Sequence, residues 1–357
     1  MSFTALSFDQ LAALLGSRAR ASAARRWLYR GGAVPSELPA RIPGVKPAAW
    51  EAVRIAAPLP AWRLARREAS ADGAVKYALD LSGATVETVL IPTRGRSTVC
   101  VSSQAGCSRA CTFCATATLG LLRPLDAGEI LLQYAVAAAD APAGSPVRNV
   151  VFMGMGEPMD NLDAVLEAID RLLEAPWPGL SAAHVTVSTS GVLPGMKRFL
   201  REGRGHLALS LNATTDVQRQ RLMPHNRTWP IAALLDALRE DQALHPGRRS
   251  FIEYVLWDGV NDTDADVARL AALLEGLDAQ VNLIPHNAFP ASELRPPSDD
   301  VVRRFQKGLL LRGVRSIVRW PRGRDIAAAC GQLAGRQITF CCWPSSRPRP
   351  SRPPARP

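Results

Sequence analysis

The chain has 357 residues, a hydrophobic content of 47% and a formal net charge of +11. This length allows a large single-core domain with a smaller one beside it. No run of about 18 uncharged apolar residues occurs, and the first residues lack the basic start and apolar core of an export signal. We therefore expect a cytoplasmic protein without a membrane partner. The positive charge favours an anionic partner such as RNA or DNA, unless it reflects an arginine-rich proteome.

The predicted elements change in character along the chain. Residues 1–75 are predicted to form short amphipathic helices, an N-terminal accessory domain that would bind RNA. Two strands at 76–81 and 85–92 are predicted to form a β-hairpin linker over residues 76–92. From residue 98, short β-rich runs alternate with helical patterns, which predicts six βα units and a seventh strand. The predicted strands are 98–103, 149–154, 184–190, 207–212, 251–257, 280–285 and 314–320.

This alternation implies a parallel sheet covered by helices, and thus an α/β fold. No G-x-G-x-x-G turn follows the first strand, which disfavours a dinucleotide-binding fold. We predict a partial (βα)6 TIM-type barrel over residues 93–325, with its active site at the C-terminal ends of the strands. A C-terminal segment over 326–343 follows, and the Pro- and Arg-rich tail at 344–357 is predicted to be disordered.

Three cysteines with the spacing C-x3-C-x2-C, namely Cys107, Cys111 and Cys114, follow the first strand of this array. Structural zinc takes four protein ligands, whereas three close thiolates suit a [4Fe–4S] cluster that leaves one iron open. The alternative is a zinc site completed by a distant histidine or by Cys100. The chain has seven cysteines, an odd and clustered set that argues against a disulfide framework.

The cysteine spacing at this place in a βα array resembles the radical S-adenosylmethionine superfamily. The resemblance implies that the open iron binds the amino and carboxylate groups of S-adenosylmethionine. The segment GMGEP lies one βα unit later and is similar to the superfamily segment near the methionine amino group. This similarity implies that Gly156 and Glu157 face the cofactor.

Several further segments resemble the RlmN/Cfr family of radical S-adenosylmethionine RNA adenine methyltransferases, and RlmN most closely. The resemblance covers about residues 76–335 and is carried by VETVLIP, VCVSSQAGC, SLNATTD, VNLIPHN, GVRSIVRWPRGRDI and ACGQLAG. It implies methylation of C2 of adenosine in 23S rRNA, with tRNA as a second substrate. It also implies a monomer served by an electron donor such as flavodoxin or ferredoxin.

Two other functions stay open from the sequence. A Cfr-like enzyme that methylates C8 of adenine shares all of these motifs. A zinc-stapled RNA-binding module without enzymatic activity would leave GMGEP and ACGQLAG unexplained.

The resemblance implies that the methyl carbon is first bonded to a cysteine sulfur and then transferred to adenine, because C2 of adenine is not a nucleophile. Cys330 would first accept a methyl group, and a radical formed from a second S-adenosylmethionine would take a hydrogen atom from it. The carbon radical would add to adenine, and Glu87 would remove the ring proton. Cys100 would then attack Cys330, forming a transient disulfide and releasing the product. Considered without the family, Cys330 and Cys100 would be core residues and Glu87 a solvated strand position.

Five more residues match cofactor-contacting positions of the family. They are Ser188, Ser210, Leu211, Asn212 and Asn287. The family often has histidine where Asn212 stands, although asparagine can also form a hydrogen bond with a ribose hydroxyl.

The helix that contains Trp27 and Tyr29 with Arg25, Arg26 and Arg30 would either face RNA or pack its aromatic side chains inward. Cys341 and Cys342 match no position of the family, and we expect no role for them.

Overall fold

The computed structural model describes residues 2–30, 32–176, 178–289 and 292–334. Cys341, Cys342 and the Pro/Arg-rich tail (344–357) lie outside the described residues, as does the part of the C-terminal segment beyond residue 334. Within the described ranges, no helix is long and apolar enough to cross a membrane.

The described residues contain ten α-helices and twelve β-strands. The helices are α1 (Phe8–Leu15), α2 (Arg18–Arg30), α3 (Pro47–Ala56), α4 (Ala127–Ala139), α5 (Leu162–Leu173), α6 (Leu193–Glu202), α7 (Asp216–Leu222), α8 (Ile231–Leu244), α9 (Asp264–Leu273) and α10 (Asp299–Leu310). The strands are β1 (Trp62–Ala69), β2 (Val75–Leu81), β3 (Ala84–Thr93), β4 (Arg96–Cys100), β5 (Gln104–Gly106), β6 (Leu121–Pro124), β7 (Val147–Phe152), β8 (Val185–Thr189), β9 (His206–Ser210), β10 (Ser250–Leu256), β11 (Ala279–Pro285) and β12 (Arg315–Val318).

Ten strands form one sheet in the order β1-β2-β3-β4-β7-β8-β9-β10-β11-β12. The first four pair antiparallel, and β4 and the six strands that follow it in the sheet pair parallel. Strands β5 and β6 form a separate antiparallel hairpin. The six predicted βα units and the seventh strand are therefore confirmed, and the chain has the predicted α/β fold.

Side-chain contacts, rather than strand pairing, join the two edges of the sheet. The Asp72 carboxylate in the β1–β2 turn accepts a hydrogen bond from Gly323 N–H at 2.8 Å. In the same turn, Ser70 Oγ donates to Asp325 Oδ1 at 2.5 Å. In a flat sheet of ten strands the edges would be about 40 Å apart, so these contacts require a strongly curved sheet. The result is a partial barrel whose gap is crossed by the segment after β12.

Strand β1 corrects the prediction that residues 1–75 are helical. Its sequence WRLARREA carries four charged side chains and does not alternate between apolar and polar residues. A register shift between Leu64 and Arg66 disrupts the two-residue period. Since β1 is an edge strand, much of it can stay in water, and its sequence needs no apolar face. The predicted hairpin is present as β2 and β3, but both strands belong to the main sheet.

Helix α2 packs its aromatic side chains inward, as in the second of the two arrangements considered for it. The Trp27 ring lies 6.3 Å from that of Trp50, and the buried Tyr29 ring lies 5.8 Å from that of Tyr134 in α4. Arg25 is also buried and donates to Glu174 at 2.7 Å. These three residues of α2 therefore do not form the RNA-facing patch, which was the other arrangement considered for this helix.

Candidate active site

A cavity of about 170 Å³ opens at the C-terminal ends of the parallel strands. Ten of the thirteen site residues predicted from the sequence line it. They are Cys107, Cys111, Cys114, Gly156, Glu157, Ser188, Ser210, Asn212, Asn287 and Cys330. The other three, Cys100, Glu87 and Leu211, are buried in the strands or just beyond them and do not line it. Residues from loops up to 223 positions apart, Cys107 and Cys330, thus meet where a barrel of this kind binds its ligands.

The loop with the three cysteines is anchored on both sides. The Cys107 N–H donates to Gly120 O at 2.9 Å, which ties the loop to the β5–β6 hairpin. Arg109 forms a two-pronged pair with Asp160 in the turn after GMGEP, in which Arg109 Nε lies 2.6 Å from Asp160 Oδ2. The Ala115 N–H, just after Cys114, donates to Gly331 O at 2.7 Å. The loop position is therefore set before any cofactor binds.

Two of the three thiols, those of Cys107 and Cys111, fit a cationic metal centre because the protein alone disfavours their charged form. Burial raises the pKa of Cys107 to about 12, and nearby Glu157 raises it further. Burial and the neighbouring thiols Cys114 and Cys107 raise the pKa of Cys111 well above its usual value. A metal cluster neutralises thiolate charge and so removes this penalty.

The spacing of the possible ligand side chains indicates which kind of metal centre the site could hold. No three His, Cys, Asp or Glu side chains in the described residues are placed to hold a single metal ion. A [4Fe–4S] cluster binds each thiolate through a different iron atom, so its ligands stand farther apart than those around one ion. The donor set of three thiols on one cavity wall fits such a cluster with one open iron.

Gly156 and Glu157 also line the cavity, and Glu157 is close enough to the cysteine loop to raise the pKa of Cys107 and Cys111. Gly156 has a φ of +100°, and a Cβ there would lie 2.6 Å from Gln104 Cβ, so only glycine fits. The Glu157 N–H donates to Gln104 Oε1 at 2.9 Å. The Glu157 carboxylate accepts from Ser190 N–H at 2.8 Å and Ser190 Oγ at 2.7 Å. These bonds hold the GMGEP turn in one conformation.

The ends of β8 and β9 contribute two hydroxyl groups and one amide. Ser188 Oγ and Ser210 Oγ lie 3.4 Å apart on the cavity wall. Asn212 has a φ of +61°, a conformation that asparagine tolerates better than most residues. Its Oδ1 accepts from Val255 N–H at 2.9 Å, so one side of this amide already has a partner. Leu211 faces the core and contributes only backbone.

Cys330 lies on a short segment that covers one side of the cavity. Its side chain is exposed to the cavity, and Asn287 Nδ2 donates to its carbonyl oxygen at 3.2 Å. Thr116 Oγ1 donates to Leu333 O at 2.6 Å, and Glu87 accepts from Ala334 N–H at 2.8 Å. The segment is thus held by the cysteine loop, the strand β3 and the loop after β11.

Cys100, at the end of β4, is buried behind this segment. Burial raises its pKa to about 12, and a thiolate at Cys330 would raise it further. The pKa of Cys330 is raised to about 11, because protein atoms crowd around it and because Glu253 is near. Both sulfur atoms are therefore held as thiols at neutral pH, and each is close enough to influence the other.

Glu253 is a site residue that the sequence analysis missed. It lines the cavity from the middle of β10, and Asn282 Nδ2 donates to its Oε1 at 2.7 Å. Burial raises its pKa to about 7. The sequence signal that could have identified it is an ionisable residue within the apolar run FIEYVLW, because a core strand would have no ionisable residue.

Arg219, on the unpredicted helix α7, is a second missed residue. It is fully buried and forms no ion pair with a carboxylate among the described residues, and burial lowers its pKa to about 10. Its guanidinium donates to Ser190 O at 2.5 Å, to Leu211 O at 3.0 Å and to Asn226 Oδ1 at 2.7 Å. One side chain therefore joins the loops after β8 and β9, which carry the predicted cofactor contacts.

Comparison with known proteins agrees with this geometry. A family model described as the radical SAM superfamily matches residues 101–271. The chain is 42% identical over 354 residues to the "Dual-specificity RNA methyltransferase RlmN" of Anaeromyxobacter sp. (strain Fw109-5), covering 97% of this chain and 92% of that protein. It is 44% identical over 338 residues to the protein of the same name from Geobacter sulfurreducens, covering 93% and 91%.

A solved structure shows the same fold. The crystal structure of a radical SAM methyltransferase from Sphaerobacter thermophilus matches with a TM-score of 0.86 and 40% identity, over 94% of this chain and 100% of that one. Identity at this level over most of both chains establishes the family. The chain belongs to the RlmN family of RNA methyltransferases, radical SAM enzymes that use a [4Fe–4S] cluster and S-adenosylmethionine.

Proposed function

We propose that this enzyme methylates C2 of adenosine in 23S rRNA and in tRNA, through a methylated Cys330 and a transient Cys100–Cys330 disulfide. The observation that carries the proposal is that Cys330 opens into the same cavity as Cys107, Cys111 and Cys114. The relatives named as dual-specificity RNA methyltransferases support two RNA substrates. No feature of the cavity favours the Cfr-like reaction at C8.

The cluster would be held by the three cysteines of the loop, with S-adenosylmethionine between Gly156, Ser188, Ser210 and Asn287. Bound there, the cluster and S-adenosylmethionine would supply a methyl group and, after one-electron reduction, a radical that takes a hydrogen atom. Every other part of the reaction depends on side chains of the chain itself.

Cys330 is placed to carry the carbon atom. Its thiol faces the cavity, whereas Cys100 is buried, so only Cys330 can meet a methyl donor and an RNA base. Cys330 must lose its proton to accept the methyl group, since the thiolate is the nucleophile. Once the carbon is bonded to both Cys330 sulfur and adenine, the Cys100 thiolate would attack that sulfur. Loss of the ring proton would leave one surplus electron on the adduct, which would return to the cluster that supplied it. The sulfur–sulfur bond would form as the sulfur–carbon bond breaks, and the freed carbon would take a proton to become the methyl group of the released base.

Glu87 is proposed as the base that takes the proton from the adenine ring. In the structure its carboxylate bonds Ala334 N–H and lies 3.4 Å from Lys76 Nζ. Residues near Ala334 must therefore move before Glu87 can meet a substrate. We further propose a cytoplasmic monomer reduced by a flavodoxin or ferredoxin, on the strength of the family resemblance.

The two outlying cysteines provide the test. Cys100→Ala should still form a carbon bond to RNA but fail to release it, so the protein accumulates bound to RNA through Cys330. Cys330→Ala should form no adduct, and Cys341→Ala, outside every family motif, should turn over like the wild type. The measurement is mass spectrometry of nuclease- and trypsin-treated protein for a Cys330 peptide that carries a nucleotide.

The same experiment locates the modified atom. Fragmentation of the methylated adenosine from wild-type turnover distinguishes 2-methyl from 8-methyladenosine when compared with synthetic standards. A Cys100→Ala protein that is loaded with cluster and S-adenosylmethionine but yields no adduct contradicts the two-cysteine mechanism. A product methylated at C8 supports the Cfr-like alternative instead.

A further inference from the structure

A basic and aromatic surface borders the cavity at the C-terminal end of β12. We call it the β12 rim and define it by Arg303, Arg319, Trp320 and Arg324. Arg319 and Trp320 directly follow β12, and Arg319 N–H donates to Leu283 O of β11 at 2.8 Å, which extends the sheet by one residue. The rim therefore lies at the same edge of the sheet as the cavity.

Trp320 is an exposed aromatic residue just after β12, three residues from the exposed Ile317. Its side chain is 42% exposed, and the Arg303 guanidinium from α10 lies 5.5 Å from its ring centre. The exposed residues Leu310 and Leu311 lie at the other end of α10, and thus away from the rim. A single exposed indole among cations does not form the apolar patch of a protein interface. It suits stacking on a nucleobase, because every base has a π-face.

Two arginines of the rim, Arg303 and Arg319, are free to bind phosphate. Arg303 and Arg319 are exposed, and in the described part of the chain neither forms an ion pair with a carboxylate. Neighbouring arginines behave differently: Arg304 lies 3.5 Å from Asp264, and Arg315, at the N-terminal end of β12, lies 2.6 Å from Asp278. Arg303 and Arg319 thus present unpaired cations near the cavity end of this strand.

A hydrogen bond and an electrostatic interaction connect the rim to the site. Arg324 Nε donates to Oδ1 of Asn287, a residue of the cavity wall, at 3.2 Å. The positive charge of Arg319 is close enough to lower the pKa of both Glu253 and Cys330. A polymer that places one base against Cys330 would therefore have its next nucleotides over the rim.

We propose that the β12 rim binds RNA, with Trp320 stacked on an unpaired base next to the one in the cavity and with Arg303 and Arg319 on the adjoining phosphates. The inference rests on the proposed function for the identity of the base in the cavity. It adds a specificity element that is formed by residues outside the cluster and cofactor motifs.

The test is fluorescence anisotropy of the holoenzyme with a labelled RNA hairpin whose unpaired loop contains one adenosine. Trp320→Ala should weaken binding about 10-fold, as expected for loss of one stacked base, and Trp320→Phe should restore most of it. Arg319→Ala should weaken binding and lower the slope of log affinity against log salt by about 0.7, the value for one single-strand phosphate contact. Arg304→Ala and Arg315→Ala are the matched controls and should bind like the wild type.

A second hairpin, abasic on both sides of the adenosine, isolates the stacking contact. The Trp320→Ala effect should disappear with this RNA, since no neighbouring base remains to stack. If Trp320→Ala and Arg319→Ala bind and methylate the intact hairpin like the wild type, the proposal is wrong. Failure of the wild type to methylate C2 would overturn the proposed function alone, because the anisotropy contrast between rim and control variants does not depend on turnover.

Discussion

Glu87 in β3 accepts a hydrogen bond from the backbone N–H of Ala334 at 2.8 Å, across 247 positions of sequence. The same carboxylate lies 3.4 Å from Lys76 Nζ, and Lys76 Nζ donates to Ala327 O at 3.3 Å. A residue proposed as a base therefore also holds the segment that carries Cys330. Glu87 therefore has two roles here, holding the Cys330 segment and serving as the proposed base, and the variants below separate them.

Glu87→Ala should release the Cys330 segment, because the variant removes a charged acceptor worth about 1.5–3 kcal/mol. We expect faster hydrogen–deuterium exchange at Ala334 and faster alkylation of Cys330 by iodoacetamide. Glu87→Gln keeps an acceptor oxygen, so the segment should stay docked while methylated product is lost. Glu68→Gln is the control, since Glu68 also pairs with Lys76, at 3.2 Å, but has no bond to Ala334. Full activity of Glu87→Gln would show that Glu87 is not the base.

Replacement of Cys107, Cys111 or Cys114 with alanine should abolish iron loading and leave the fold intact. Each thiol lines the cavity, and the loop is held by backbone and Arg109 contacts that do not need the thiols. Iron and sulfide analysis after anaerobic reconstitution, together with circular dichroism, measures both expectations. Cys100→Ala is the matched control and should load iron like the wild type. Retention of a full cluster by Cys111→Ala would contradict the assignment of the ligands.

Arg219→Met should destabilise the protein by about 3 kcal/mol, because it leaves several buried acceptors without a donor. Arg219→Lys should recover little, since an ammonium group cannot reproduce the planar fork that reaches Ser190 O and Asn226 Oδ1 together. Urea unfolding measures the loss, and binding of S-adenosylmethionine should weaken in parallel. Arg221→Met, on the exposed side of the same helix, should change neither. Wild-type stability in Arg219→Met would mean that water replaces these bonds.

Glu253 should make the stability of the protein depend on pH. Its pKa is raised from 4.5 to about 7 in the folded state, so folding favours the protonated carboxyl. Below pH 4.5 the group is neutral in both states, and its contribution to stability is fully present. That contribution is lost as the pH rises through the folded-state pKa. Once the group is ionised in both states, the loss of stability amounts to about 3 kcal/mol.

Glu253→Gln should therefore match the wild type near pH 4.5 and become the more stable protein above pH 7, by the same amount. The free energy of unfolding measured by urea titration at several pH values gives this difference. Glu275→Gln, which removes an exposed carboxylate, should show no such divergence. A constant difference between Glu253→Gln and wild type across this range would mean that Glu253 is ionised throughout.

The sequence by itself determined the βα array and the cysteine loop. Helices such as α5 and α6 show their period in apolar residues at three- and four-residue spacing, and strands such as β7 and β11 are short apolar runs between turns. Both signals arise from neighbours in the chain, because backbone geometry alone decides which side chains share a face. The motif residues at the strand ends then meet, since parallel strands end on one side of a sheet.

Only the tertiary structure decided which residues from distant parts of the chain meet at the site. Strand β1 has no pattern of its own and forms because β2 provides backbone partners at the edge of the sheet. Glu87 meets Ala334 because the sheet curves until its two edges come together. Sheet curvature is a collective property of ten strands and their covering helices, so no local stretch of sequence encodes it.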